Sequence, residues 1–141
     1  MTFLEALYGS QTAEIKQAGK DGSKGRFNGT IFLTAFLIVA ITGVVLMICV
    51  FTPSLRDSFA IALRNIFGYS GGKTIGKIIA AVAFVSIYFI VSRTVGREEN
   101  YLRLVENFNQ YPEEVRSKAN KMLLVPFFVA LGMVIVFGVI L

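Results

Sequence analysis

The 141-residue chain lacks histidine altogether and has a single cysteine, Cys49. Without an imidazole it has no ordinary haem ligand and no histidine base or metal ligand. One thiol cannot close an internal disulfide, and it cannot hold a structural zinc ion or a cluster. We therefore expect no cofactor and no metal site, and we interpret Cys49 as a small packing residue.

Charge is missing from three long apolar runs, which cover residues 31–51, 78–92 and 122–141. Ion pathways and proton relays normally place ionisable groups at membrane depth, and a membrane protease needs a nucleophile with a base. The only polar side chains in these runs are hydroxyls and one thiol. A lipid kinase would need carboxylates beside a span for metal and ATP, but Glu98 and Glu99 are adequately explained as a solvated helix turn. We therefore predict that the chain is not an enzyme.

The same three runs predict an all-α, polytopic membrane protein with three transmembrane helices. A helix needs about 20 apolar residues to cross a hydrocarbon layer of roughly 30 Å, and the first and third runs have that length. The middle run is shorter, and the alternative interpretation is that it forms a buried helix of a soluble core. It becomes long enough if the basic side chains of Lys77 and Arg93 reach the headgroups. We place the spans at residues 30–51, 75–96 and 122–141.

Basic residues indicate the orientation of these spans. The N-terminal tail (1–29) and the second loop (97–121) share a side and, with Arg93 at the edge of that loop, hold ten of them, whereas the first loop (52–74) and its edge hold four. Because basic loops stay cytoplasmic, we predict a cytoplasmic N-terminus and an extracytoplasmic C-terminus, in a bacterial inner membrane. The net charge of +5 is then a topology signal, and we expect no nucleic-acid partner.

The N-terminal tail is predicted to contain a short helix followed by a linker. Phe3, Leu4, Leu7 and Tyr8 lie on or near one face of that helix, which could rest on the membrane or dock on a partner. Residues 19–29 are rich in glycine and polar side chains, a composition typical of a flexible linker.

The first loop has the punctuation of a helix. Thr52 suits the N-cap, Pro53 the first helical position and Gly68 the end. The helix is amphipathic, and we expect it to lie in the outer membrane interface or to pack on another subunit. Its apolar face contains Leu55, Phe59, Leu63 and Ile66.

The second loop is predicted to form a cytoplasmic helical hairpin that extends the second and third spans, with a break at residues 109–112. Tyr101, Leu104 and Phe108 recur at helical spacing and form an apolar stripe. Such a stripe needs cover, which either the other arm of the hairpin or a partner subunit would supply.

Small residues recur at the start of the second span, at Gly72, Gly76, Ala80 and Ala83. Small residues spaced by four let helix backbones approach closely in lipid. This face predicts a tight helix contact, either within the chain or to a partner.

Together these features predict a non-catalytic integral membrane subunit that packs by its helices into a larger complex, such as a respiratory, secretion or transport assembly. Its expected partners are membrane lipids and other transmembrane subunits or further copies of itself. Two alternatives stay open. One is a self-associating pore or filament former of the holin or conjugative-pilin kind, and the other is a small oligomeric transporter.

Overall fold

The computed structural model describes residues 1–68 and 72–141, except for the side-chain surroundings of Phe67 and Gly72. In these two ranges the chain forms helices joined by short turns. The helices, in chain order, are α1 (Phe3–Gln17), α2 (Lys24–Phe51), α3 (Pro53–Phe67), α4 (Gly72–Arg93), α5 (Glu98–Gln110), α6 (Glu113–Ser117) and α7 (Ala119–Ile140).

Three stretches are long and apolar enough to cross a membrane: Lys24–Phe51, Lys73–Arg93 and Glu113–Ile140. They confirm the prediction of an all-helical chain with three candidate spanning helices. The boundaries differ from the predicted ones in detail. The helix of the second span ends at Arg93 rather than at residue 96, because the chain turns there and the Gly96 amide donates to the Val91 carbonyl at 2.8 Å.

A capping box starts α1. The Thr2 hydroxyl accepts a hydrogen bond from the Glu5 amide at 3.3 Å, and the Glu5 carboxylate accepts one from the Thr2 amide at 2.8 Å. Two amides at the helix start, which have no partner within the helix, are satisfied in this way. The helix ends at Gln17, and Gly19 follows in the left-handed region with φ of +74°.

The loop between α1 and α2 is shorter than the linker that we expected over residues 19–29. It covers residues 18–23, and α2 begins at Lys24. Gly25 and Gly29 are therefore helical, and both are buried. Their lack of a side chain serves close packing against α1 rather than flexibility.

α2 is the central helix of the three spans. α7 runs parallel to it, since the Phe32 ring lies 5.6 Å from the Phe127 ring near one end and the Phe51 ring lies 6.3 Å from Phe137 near the other. α4 packs mainly on α2, and its end lies at the start of α2, where the Phe27 and Tyr88 rings are 6.2 Å apart. The start of α2, the end of α4 and the start of α7 consequently lie at one end, which we call the core end.

The largest buried cluster lies at the core end, where α1 packs against α2, α5 and α7. Ala6, Leu7 and Tyr8 of α1 have no exposed surface. Full burial of a side chain such as that of Leu7 stabilises the fold by roughly 1.5–3 kcal/mol where it removes the side chain from water. α1 is therefore a central part of the core and not a peripheral tail.

α3 lies at the opposite end from the core and contacts mainly α2. Pro53 occupies its first turn and Gly68 ends it with φ of +73°, as the sequence predicted. Thr52 stands at the N-cap, but its side chain makes no capping hydrogen bond.

The second loop forms α5 and α6, with the predicted break at Tyr111 and Pro112. A turn at residues 94–97 interrupts the helix between α4 and α5. α5 packs on α1. The two arms of the predicted hairpin are thus held together largely through α1.

Candidate functional site

Two glycines of α2 and one of α1 allow the close packing at the core end. The ring of Phe108 on α5 lies directly against the backbone of Gly9, and a methyl group at Gly9 would overlap it. A methyl group at Gly25 would lie 2.8 Å from the Thr12 Cα atom, and one at Gly29 would lie 2.6 Å from the Tyr8 ring. All three approaches are closer than real side chains tolerate. The core end therefore depends on the absence of a Cβ atom at these positions.

Tyrosine and threonine hydroxyls connect the helices there. The Tyr8 hydroxyl lies 3.1 Å from the Thr30 hydroxyl of α2, and Thr30 donates onward to the Arg26 carbonyl at 2.7 Å. Burial raises the pKa of the Tyr8 phenol, although the hydrogen bond to Thr30 opposes this. The hydroxyl is accordingly neutral and acts as a fixed link between α1 and α2.

A second link joins α1 to α5 and to the loop. The Thr12 and Tyr101 hydroxyls are 2.7 Å apart, and the Tyr101 hydroxyl donates to the Gly22 carbonyl at 3.0 Å. Both side chains are buried. Because a buried polar group without a partner costs about 1–3 kcal/mol, this paired arrangement favours one relative position of the three segments.

Glu5 is a carboxylate that is only 8 % exposed at the core end. Besides the Thr2 amide, it accepts hydrogen bonds from the Asn107 amide at 3.2 Å and from the Tyr111 hydroxyl at 3.0 Å. The Thr2 bond, with smaller help from Tyr111 and Asn107, holds the pKa of this carboxyl below its ordinary value of 4.5, against the effect of burial. The ionised Glu5 therefore fixes the start of α1 to the end of α5.

The geometry corrects the prediction of a partner face on α5. Tyr101 and Phe108 are 6 % and 3 % exposed, and Leu104 packs against the same cluster. α1 of the same chain covers Tyr101 and Phe108, so these two offer no surface to another subunit, while Leu104 is half-buried. The sequence pattern identified an apolar stripe correctly but could not show which segment would lie on it.

The apolar face predicted on α3 is in contrast uncovered in the chain. Leu55, Phe59, Leu63 and Ile66 are all exposed, from 39 % for Leu63 to 70 % for Ile66. This exposure is compatible with either expected surrounding, a membrane interface or a partner subunit.

The small-residue face of α4 is also uncovered. A methyl group at Gly76 would meet no atom within 4 Å, Ala80 is exposed and Ala83 is half-buried. Gly72 begins the helix, but its surroundings lie outside the described residues. From Lys73 to Val82, only Ile75 is partly buried. The first half of α4 therefore stands apart from the rest of the chain.

A small-residue contact joins α2 to α7. A methyl group at Gly43 would lie 3.4 Å from the Met133 Cβ atom and 3.6 Å from the Ala130 carbonyl oxygen. Gly43 and Ala130 are both buried. Close approach at small residues is thus how two of the spans of this chain meet.

Within residues 1–68 and 72–141, no group of three or more Asp, Glu or Cys side chains is placed to hold a metal ion. No protein-family model, curated protein or solved structure matches the chain.

Proposed function

We propose that this chain is a non-catalytic integral membrane subunit whose fourth helix binds a transmembrane helix of another protein in a larger assembly. The observation that carries the proposal is the uncovered first half of α4. Ten helical residues, 73–82, are apolar apart from Lys73, Thr74 and Lys77, and only Ile75 among them is partly buried.

The composition of that segment supports a protein partner over lipid alone. In lipid, helices associate through close packing at small residues, because apolar surface by itself gives no preference between helix and lipid. The chain's own contact between α2 and α7 uses Gly43 and Ala130 in this way. Gly76 and Ala80 present the same kind of surface without a counterpart in the chain.

The rest of the molecule fits a supporting role. The three apolar helices provide anchorage, and α1 packs on two of them, α2 and α7, at the core end. In the orientation that we propose from the basic residues, the core end lies in the cytoplasm of a bacterial cell and α3 lies at the outer interface.

Photo-cross-linking in native membranes tests the partner directly. Ala80 is replaced by a photoreactive phenylalanine, and the control carries the same group at Ile78, which is 58 % exposed and lies about 200° around the helix. We expect an adduct to a chain of different mass from the Ala80 position and none from Ile78.

Two outcomes contradict the proposal. An adduct at twice the chain mass of 15.5 kDa would favour the self-associating pore or filament former. Absence of any protein adduct at Ala80 would mean that lipid covers this face. Cys49, the natural cysteine, is a poor cross-linking position because it is buried.

A further inference from the structure

An open cavity lies where α2 begins and α4 ends. Its volume is about 620 Å³, and it is lined by Arg26, Ser92, Arg93, Arg97, Glu98 and Glu99. A smaller chamber of about 290 Å³ shares Arg26 and Ser92 with it. The smaller chamber is completed by Ser23, Phe27, Thr30 and Tyr88. Three arginines thus converge on one cavity in a short stretch of the surface.

Arg26 is held in place by the protein backbone. Its Nε atom donates to the Gly96 carbonyl at 2.6 Å. A guanidinium has five N–H donors in a planar fork, so this bond orients the group and leaves its other donors for a ligand. The turn after α4 therefore positions the arginine that both chambers share.

Arg93 and Arg97 stand at the same cavity with their charges not neutralised by contact. Among the residues that the structure describes, neither arginine has a carboxylate oxygen within 4 Å. The Arg93 guanidinium lies 6.0 Å from the centre of the Phe89 ring, and the side chain is exposed. Both groups are available to an anion.

Glu98 and Glu99 also line the cavity and reduce its positive charge. Both lie in the first turn of α5, where the helix dipole stabilises carboxylates. Three arginines against two glutamates leave a net charge of +1 on the lining. An anion with a further polar group, rather than a bare polyanion, suits this set of side chains.

The level of the cavity along the spanning helices indicates where such an anion would come from. Arg93 directly follows the apolar run that ends at Ser92, and Arg26 precedes Ile31 by five residues. If these helices span a bilayer, the three arginines lie at the level of the lipid headgroups. Below them, the Phe27 and Tyr88 rings lie 6.2 Å apart, and Phe27 is 55 % exposed. These rings offer an apolar surface for acyl chains.

We propose that the Arg26–Arg93–Arg97 cavity binds the phosphate group of a membrane phospholipid, with the acyl chains along Phe27 and Tyr88. The arginines form charge-assisted hydrogen bonds to the phosphate oxygens. Ser92 and the two glutamates contact the polar remainder of the headgroup. The site is independent of the small-residue face of α4, so either proposal can fail alone.

The test is native mass spectrometry of the full chain in detergent, titrated with phosphatidylglycerol. Diacylglycerol of the same acyl chains is the comparison lipid, since it lacks the phosphate. The main variant is R93Q/R97Q, because neither side chain makes a hydrogen bond to any described residue and the fold is expected to persist. If each arginine contributes about fivefold to the affinity, the variant should bind phosphatidylglycerol roughly 25-fold more weakly than the native chain. Diacylglycerol binding should not change.

The matched control is R103Q/R116Q, which removes the same charge from the core end outside the cavity. It should retain phosphatidylglycerol binding within about twofold, since these side chains do not line the site. R26K provides a second check. Lysine keeps the positive charge but lacks the planar, forked set of N–H donors of the guanidinium, so phosphatidylglycerol binding should weaken.

Three results would overturn the proposal. The first is equal phosphatidylglycerol binding by R93Q/R97Q and the native chain. The second is equal loss in R103Q/R116Q, which would indicate a diffuse charge effect. The third is displacement of the lipid by millimolar inorganic phosphate, which would assign the cavity to free phosphate instead.

Discussion

The ring of Phe108 in α5 lies against the backbone of Gly9 in α1, and it leaves no space for a methyl group there. This contact joins two helices that are far apart in sequence. It also explains why the apolar stripe of α5 is not available to a partner. The N-terminal helix, rather than a second subunit, completes the core.

Gly9→Ala should therefore destabilise the core end. A Cβ atom must displace the Phe108 ring, and overpacking of this kind typically costs about 1–3 kcal/mol. Gly132→Ala on α7 is the control, because a methyl group there meets no atom within 4 Å. Thermal unfolding in detergent can be followed through reaction of a maleimide dye with Cys49, which is buried in the folded chain. We expect a lower midpoint for Gly9→Ala and not for Gly132→Ala; equal midpoints would contradict the packing.

Tyr101→Phe should lower the free energy of unfolding by about 1 kcal/mol for the loss of a buried hydrogen-bonded hydroxyl. The loss leaves the Thr12 hydroxyl without its partner, while the Gly22 carbonyl keeps its bond from the Gly25 amide. Tyr88→Phe is the matched control, since its hydroxyl makes no hydrogen bond to any described residue. Chemical unfolding in detergent measures both. A loss in Tyr88→Phe as large as that in Tyr101→Phe would count against the role of the Tyr101 network.

Glu5 should make stability depend on pH in the acidic range. Its folded pKa lies below the ordinary value of 4.5, so the ionised form is favoured in the folded chain. This contribution is fully present above pH 4.5 and is lost as the pH falls through the lower folded value. Glu5→Gln should show a smaller loss of thermal midpoint than the native chain over that range.

Glu106→Gln is the control for this pH dependence, because Glu106 is exposed on α5 and makes no hydrogen bond to any described residue. It should retain the acid sensitivity of the native chain. If Glu5→Gln and the native chain lost the same midpoint between pH 5 and pH 3, the proposed role of the Glu5 carboxylate would be wrong.

The sequence was informative wherever the signal was local. Uncharged runs of about 20 residues predicted the three apolar helices, because chain length and hydrophobicity alone decide whether a helix can span a bilayer. Pro53 and Gly68 marked the limits of α3, and Pro112 marked the break between α5 and α6. These signals depend on backbone geometry within a few residues.

The place of α1 was not predictable in the same way. The pattern of Phe3, Leu4, Leu7 and Tyr8 is compatible with a membrane surface, a partner or the chain's own core. The capping sequence from Thr2 to Glu5 was a local sign of a well-formed helix that the sequence analysis did not use. Gly25 and Gly29 suggested a flexible linker because the composition of a segment does not show which helix will pack against it.

Ala80→Leu tests the central claim, that the small-residue face of α4 binds a partner helix. The substitution adds bulk to an exposed position and should leave the fold of the isolated chain unchanged. Ala81→Leu is the matched control, one residue on and about 100° around the same helix.

The decisive measurement is the mass of the assembly extracted from native membranes in mild detergent, compared for the native chain and these two variants. The account predicts an assembly well above the 15.5 kDa chain mass for the native chain and Ala81→Leu, and a smaller species for Ala80→Leu. An unchanged assembly in Ala80→Leu, or a native chain that is extracted as a lone monomer, would contradict it.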